Sequence, residues 1–432
     1  MDLIKTEQCK CGKAHTFESE VIMTKGAINQ LPQVVEKFDI KKVFVIADKN
    51  TFTAAGEKAC KILEENEIKV FSYIFKNDCL EPNEENVGLA IMNFNRECDA
   101  VIGVGSGVIN DISKIVANVA CKPYIIVVTA PSMDGYASSS SSMTMEGLKI
   151  SLNSKCADVI IGDTDILCNA PTKMMLSGLG DMIAKYVSIC EWRISNLITG
   201  EYYCEEIAEL VRRSLKKCMD NADGLLKRDE NAVNAVFEGL VVGGVAMKFA
   251  GLSRPASGVE HYISHIWDMR GAEFNAPVEL HGIQCAVGTL IALKLYEKIK
   301  NISLDKQKAL EYVQNFDYAE WSKTLRNFLG KSAESMIALE EKEQKYNIKK
   351  HKERIQVIFD NWDNIKQIMD EELPTYEYMK NLFKQLGMPT SMKEIGIDEK
   401  YLPITFKATK DIRDKYVLSR LCWDLGVIDE IY

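Results

Sequence analysis

Ala100-Val101-Ile102-Gly103-Val104-Gly105-Ser106-Gly107-Val108-Ile109-Asn110-Asp111 is the stretch on which the fold turns. Its first half is an apolar run without polar alternation, which is how a strand reads when both faces of its sheet are covered. Glycines then mark a sharp turn, and Ile112 to Asn118 continues with helical spacing. The same pattern lies on either side. Lys42 to Asp48, Val70 to Phe75 and Tyr124 to Thr129 read as further strands, with helices over Thr53 to Glu65 and Glu84 to Glu97. Continuous strands spaced by helices predict a doubly wound, mostly parallel nucleotide-binding α/β sheet.

From about Leu167 helical periods dominate: Ser177 to Leu197, Tyr202 to Lys217, Asn231 to Leu252, Leu280 to Lys300 and Ile355 to Met369. Charged text such as Glu340 to Arg354 reads as solvated helix surface. The expected organisation is an α/β dinucleotide-binding domain over residues 1–166 and an all-helical metal-binding and substrate domain over 167–432, with ligands in a cleft between them. A length of 432 residues points to two cores as well. There is no internal repeat, and Ser138 to Ser142 is the single low-complexity run.

Apolar content of 47% and charged content of 27% are ordinary for a globular chain. The net charge of -9 argues against a nucleic-acid partner, which needs a basic face. A small anionic substrate stays open, because a cleft can oppose the global sign. Met1 to Glu7 carries no apolar run of signal-peptide length, and Gly239 to Ala246 is too short to span a bilayer. A cytoplasmic chain without a membrane span is therefore expected. Thirteen scattered cysteines fit reduced thiols. Cys9-Lys10-Cys11-Gly12-Lys13-Ala14-His15 has two thiols and an imidazole but no second pair. It reads as a lead-in segment rather than a complete zinc set.

Two turns follow strands. Gly105-Ser106-Gly107-Val108-Ile109 would let the backbone and a fresh helix N-terminus approach a pyrophosphate. The spacing matches neither GxGxxG nor a P-loop, so an ordinary strand-to-helix turn stays open. Thr129-Ala130-Pro131-Ser132-Met133-Asp134-Gly135-Tyr136-Ala137-Ser138 is rich in small hydroxylated residues and can hug a ligand edge. A solvent loop with an Asx-turn at Asp134 explains the same text.

Of five histidines, His261, His265 and His281 fall in one short stretch. His261 and His265, spaced i, i+4, share a face if helical, and His281 opens the next helix after Asn275 and Pro277. Neutral imidazole is the commonest ligand for borderline metals, so at least two of these are expected to bind one. The acid that completes such a set is sought in Ser177-Gly178-Leu179-Gly180-Asp181, where Asp181 is expected near the first turn of a helix. A dipole-stabilised acid paired with Lys185 is the bland explanation, and three nearby imidazoles weaken it.

These segments together resemble the iron-containing alcohol dehydrogenase and dehydroquinate synthase-like superfamily, and within it the sn-glycerol-1-phosphate dehydrogenases, including the bacterial AraM type. The resemblance rests on five ordered blocks: residues 103–114, 129–138, 178–185, 253–265 and 279–289. It implies a divalent metal, zinc, nickel or iron, on Asp181, His261 and His281. Substrate would meet Asp134, Asp181 and His265. NAD or NADP would lie on Gly105, Ser106, Gly107, Val108 and Ile109, with Thr129, Ser132 and Ser138 at the nicotinamide and Asp48 at the adenosine ribose. The implied reaction interconverts dihydroxyacetone phosphate and sn-glycerol 1-phosphate, in a homodimer by family habit. Arg254, Lys149 and Lys155 are the cations nearest in sequence for the phosphate, although such residues are more often solvated surface charges. A dehydrogenase of glycerol or another polyol, a dehydroquinate synthase-like lyase and a silent metal scaffold are the competing readings. The region after Leu304 matches no motif.

Overall fold

The computed structural model describes residues 9–77, 80–145 and 148–432. The chain forms two compact units, Met1–Met182 with Glu209–Leu252, and Ile183–Ala208 with Ser253–Tyr432.

The first unit is built on a six-stranded parallel sheet. In chain order its strands are β1 (Glu20–Thr24), β2 (Lys42–Asp48), β3 (Lys69–Phe75), β4 (Ala100–Gly105) and β5 (Tyr124–Val128). A hairpin of β6 (Ser140–Met145) and β7 (Leu148–Asn153) follows, and then β8 (Val159–Asp163). The spatial order is β1-β8-β5-β4-β2-β3, all parallel. Buried Val43, Val45, Ile102, Val104, Ile125, Val127 and Ile161 make one continuous cluster under the covering helices. The four strands expected from apolar runs are all present. β1 is a half-buried edge strand and carries no such run. The serine run belongs to β6, which pairs with β7 outside the main sheet.

The order of the sheet reverses between β2 and β4. From β2 the chain moves outward to β3, and from β4 it moves the other way to β5. Ligands of open α/β sheets collect at the carboxyl ends of strands flanking such a reversal. Those ends here are Asp48 and Gly105, aligned by the pairing of Ile46 with Gly103.

Several helices depart from the sequence reading. The helix expected from Ser177 to Leu197 is two, Thr172–Ile183 and Lys185–Thr199. Charged text through Glu340 to Arg354 is interrupted at Gln344, whose φ of 52° ends one helix before Ile348–Asp360 begins. The helix expected from Ile355 likewise stops at Asp360 and resumes at Trp362. The helix expected from Asn231 to Leu252 is present as Glu230–Ala250; it is long and apolar enough to cross a membrane, yet most of it is buried inside the first unit. It is a core helix.

The second unit is helical. Its core joins Val187, Ile194, Tyr262, Ile266, Leu295, Ile355, Ile365 and Trp423, among others. The motif-free region after Leu304 supplies much of this packing.

Within the first unit, the helix Thr172–Ile183 lies directly on the loop after β5. Ser177 Oγ donates to the Ser132 carbonyl at 3.0 Å. A Cβ at Gly178 would stand 2.0 Å from the Pro131 carbonyl oxygen, so only glycine permits this approach. Gly178→Ala is therefore expected to destabilise the protein by about 3 kcal/mol through overpacking. Gly88→Ala lies in the helix Glu84–Asn93 with nothing within 4 Å of the added carbon. It should stabilise by roughly 0.5–1 kcal/mol through helix propensity. Urea denaturation of both variants checks the opposite signs.

Candidate active site

In the first unit, β4 ends at Gly105 and the helix Gly107–Ala120 begins two residues later. Ser106 is its N-cap, yet no side chain caps it. The first-turn N–H groups thus stay available to an anion at the positive end of the dipole. Asp48, at the end of β2, has local work as well. Its Oδ1 accepts from the backbone N–H of Asn50 at 2.8 Å and of Thr51 at 2.9 Å, while Thr51 Oγ1 accepts from Asp48 N–H at 3.0 Å. This is a capping box that fixes the carboxylate at the sheet's carboxyl edge.

The loop after β5 is an ordered shell, not a solvent loop. Lys114, fully buried, sends its ammonium to the Gly135 carbonyl at 2.5 Å, the Ser140 carbonyl at 3.1 Å and Ser138 Oγ at 3.3 Å. Burial holds its pKa below the ordinary lysine value. Tyr136 OH donates to the Ala130 carbonyl at 2.6 Å. Thr129, Ser132 and Ser138 are buried within this shell, while Asp134 is half-buried.

Asp181 is buried, and Asp134 N–H donates to its Oδ2 at 2.9 Å. The expectation of a first-turn acid is corrected here. Asp181 sits in the last turn of Thr172–Ile183, where the helix dipole opposes a negative charge. The dipole therefore does not account for an acid at this position. Asp134 and Asp181, expected to share a site, are joined through that hydrogen bond.

The second unit brings the three imidazoles together. The His261 ring lies 5.1 Å from His281 and 6.5 Å from His265, and the His265 and His281 rings are 6.0 Å apart. His261 and His265 ride on the helix Val259–Phe274, and His281 is the first residue of His281–Lys300. Their surroundings differ. His261 is buried and shares a 2.8 Å hydrogen bond between Nδ1 and Glu260 Oε1, whereas His265 and His281 are half-buried. An Nδ1–H donating to that carboxylate puts the ring's lone pair on Nε2, the tautomer a metal-binding imidazole needs. Ser264 Oγ lies 3.3 Å from His281 Nδ1 and orients the second ring.

Three residues the motifs did not single out complete this site. Cys285, one helical turn past His281, is buried with Sγ 3.5 Å from His281 Nε2. It joins His261 and His281 in a group whose ligand atoms lie within 4.8 Å of one another. Burial pushes its thiol upward, but the two imidazoles outweigh that and hold its pKa below the ordinary thiol value. Its i, i+4 spacing from His281 was the available signal. Glu260 and Glu191 are the other two. Glu191 accepts from Val259 N–H at 2.9 Å and Leu418 N–H at 2.8 Å, so two helix starts point at one carboxylate. Burial, and then Glu260 close by, push its pKa up to about 8. A Cβ at Gly258 would lie 2.7 Å from an oxygen of each acid, so the chain needs glycine where both converge.

Two of the three cations considered for a phosphate, Arg254 and Lys155, are engaged with carboxylates. Arg254 is fully buried and not a surface charge. Its guanidinium holds Glu201 in a bidentate pair, with Nε at 2.8 Å and Nη2 at 2.6 Å, and Nη2 reaches Ser195 at 3.0 Å. Lys155 pairs with Asp158 at 2.8 Å, and the side chain of Lys149 lies outside the described atoms.

Comparison with known proteins places the chain in a family. Residues 22–171 match the iron-containing alcohol dehydrogenase family model. A glycerol-1-phosphate dehydrogenase [NAD(P)+] of Halalkalibacterium halodurans is 31% identical over 295 residues, covering 67% of this chain and 74% of the relative. One from Geobacillus thermodenitrificans is 27% identical over 96% of this chain and 95% of its own. Among solved structures, the glycerol dehydrogenase of Schizosaccharomyces pombe superposes with a TM-score of 0.63 at 17% identity, covering 97% of this chain and 91% of that one, which shows the shared fold. The blocks read from the sequence, the parallel sheet with its helical partner and the full-length relatives lead to one assignment: the chain belongs to the glycerol-1-phosphate dehydrogenases, within the iron-containing alcohol dehydrogenases.

Proposed function

We propose that this enzyme interconverts dihydroxyacetone phosphate and sn-glycerol 1-phosphate, using NAD(H) or NADP(H) and one divalent metal, zinc, nickel or iron. The name shared by its relatives supports the reaction. The observation that carries it is the imidazole trio, in which His261 is oriented by a buried carboxylate as metal-binding histidines are.

Asp181, His261 and His281 are proposed to hold the metal. When bound, the cation supplies Lewis acidity to the substrate oxygen and the nicotinamide supplies or accepts hydride. Glu260 keeps His261 in one tautomer. His265, one turn beyond His261, takes the hydroxyl proton in oxidation and returns it in reduction. Asp134 binds substrate. The Gly105 to Ile109 turn cradles the pyrophosphate, and Thr129, Ser132 and Ser138 line the nicotinamide. Asp48 uses Oδ1 for its cap and offers Oδ2 to the ribose, which favours NAD. Residues 1–166 would then serve the cofactor, with Asp134 also reaching substrate, and residues 167–432 the metal and the rest of the substrate site, in a cytoplasmic homodimer.

The test is NADH oxidation with dihydroxyacetone phosphate, dihydroxyacetone and glycerol after chelation and reloading with zinc or nickel. Turnover should need metal and the phosphorylated ketone; equal rates with dihydroxyacetone would favour a polyol dehydrogenase, and no absorbance change would leave a silent scaffold.

Losing a metal ligand removes several kcal/mol of transition-state stabilisation. Asp181→Ala and His281→Ala should therefore each cut kcat/KM by roughly 10³-fold or more, with NADH fluorescence titration nearly unchanged.

Glu260→Gln should weaken metal affinity by about 10- to 100-fold in competition with a chromogenic chelator.

Cys285 offers a second reading, as the third ligand in place of Asp181, because of its distance from His281. Cys285→Ser should retain the metal and Asp181→Ala should lose it; the reverse pattern would hand the ligand role to the thiolate.

A further inference from the structure

We infer that Cys9, Cys11 and His15 hold a second, structural zinc ion, separate from the proposed active-site metal. The sequence alone suggested a lead-in segment, but the fold draws its donors together. The two Sγ atoms and a His15 ring nitrogen lie within 4.8 Å of one another, and Cys11 Sγ is 3.3 Å from His15 Nε2. The backbone is wound to do this. Gly12, at φ +83°, donates its N–H to the Cys9 carbonyl at 2.9 Å, and Cys9 N–H reaches the Lys13 carbonyl at 3.3 Å. Cys11 N–H also points at Cys9 Sγ at 3.4 Å, which holds that sulfur inside the turn.

The surroundings suit an ion that stays. His15 is fully buried, with its ring 5.2 Å from that of Phe249, and Cys9 is buried too. Lys13 Nζ ties the turn to the Ala250 carbonyl at 3.1 Å, at the end of the core helix Glu230–Ala250. Two thiolates and an imidazole form a soft set that selects zinc among common divalent ions, with a further thiolate or a water completing the tetrahedron. The proposed active-site donors are two imidazoles and a carboxylate, so the two sites differ in chemistry. The role inferred for the zinc is to clamp the segment around Cys9 to His15 against that core helix.

The test uses the full chain with His261→Ala and His281→Ala, which empties the active site. Metal analysis of the purified protein should still give close to one zinc per chain. Adding Cys9→Ser and Cys11→Ser should bring it near zero, while His15→Cys should preserve it. Cobalt(II) loaded into the double-histidine variant should show a near-ultraviolet thiolate charge-transfer band that the serine substitutions abolish. Stripping zinc with an organomercurial should lower Tm. The inference is overturned if the double-histidine variant holds no stoichiometric zinc, or if the serine substitutions leave its zinc content intact. Should the serine variants fail to fold, the cobalt band and the His15→Cys zinc content decide alone. None of these readouts uses turnover, so a failure here leaves the catalytic reading standing, and a failed activity assay leaves the zinc inference standing.

Discussion

A buried carboxylate governs how the second unit presents its imidazoles. Glu260 Oε1 accepts from the Gly258 N–H at 2.8 Å and bonds His261 Nδ1 at the same distance. One side chain thereby fixes both the start of a helix and the tautomer of the histidine it carries. Taking such an acid out of water is costly unless its oxygens are used. Close by, Glu191 serves the starts of two helices. Two acids crowded around Gly258 repel each other, and the high pKa of Glu191 is the physical trace of that repulsion together with burial. The second unit accepts this electrostatic strain at the place where its imidazoles must be aimed.

The first unit meets a similar demand with a cation. Lys114 lies under the serine-rich loop with its ammonium shared among two carbonyls and a hydroxyl. Buried lysines are rare without partners, and here the partners are the backbone of the loop itself. The loop's small residues follow from this, because bulkier side chains would keep its carbonyls away from the ammonium. Composition that also fitted a solvent loop is instead the composition of a tightly wrapped shell.

The sheet was readable because burial on both faces of a parallel sheet leaves uninterrupted apolar runs. β2, β4 and β5 announced themselves, whereas edge strand β1 did not. Helix type was clear throughout the second half, but breaks were not. Asn361 and Gln344 end helices by conformations that their neighbours in sequence do not signal. The imidazoles stood out through scarcity and i, i+4 spacing. Glu260 and Cys285 were hidden because an acid beside a histidine, or a cysteine one turn away, is ordinary text until the fold turns them inward. The burial of Arg254 was hidden as well, since a lone arginine usually reads as a surface charge, while here its side chain is buried against Glu201.

The hydrogen bond from Asp134 N–H to Asp181 joins an acid proposed for the metal to a loop proposed for the cofactor and substrate. It is a mechanical thread between two kinds of occupancy. If ion loading alters the set of Asp181, the loop registers it through its own main chain, and a ligand that settles the loop acts back on the acid. Thermodynamic linkage would make any such effect equal in both directions, whatever the order of loading.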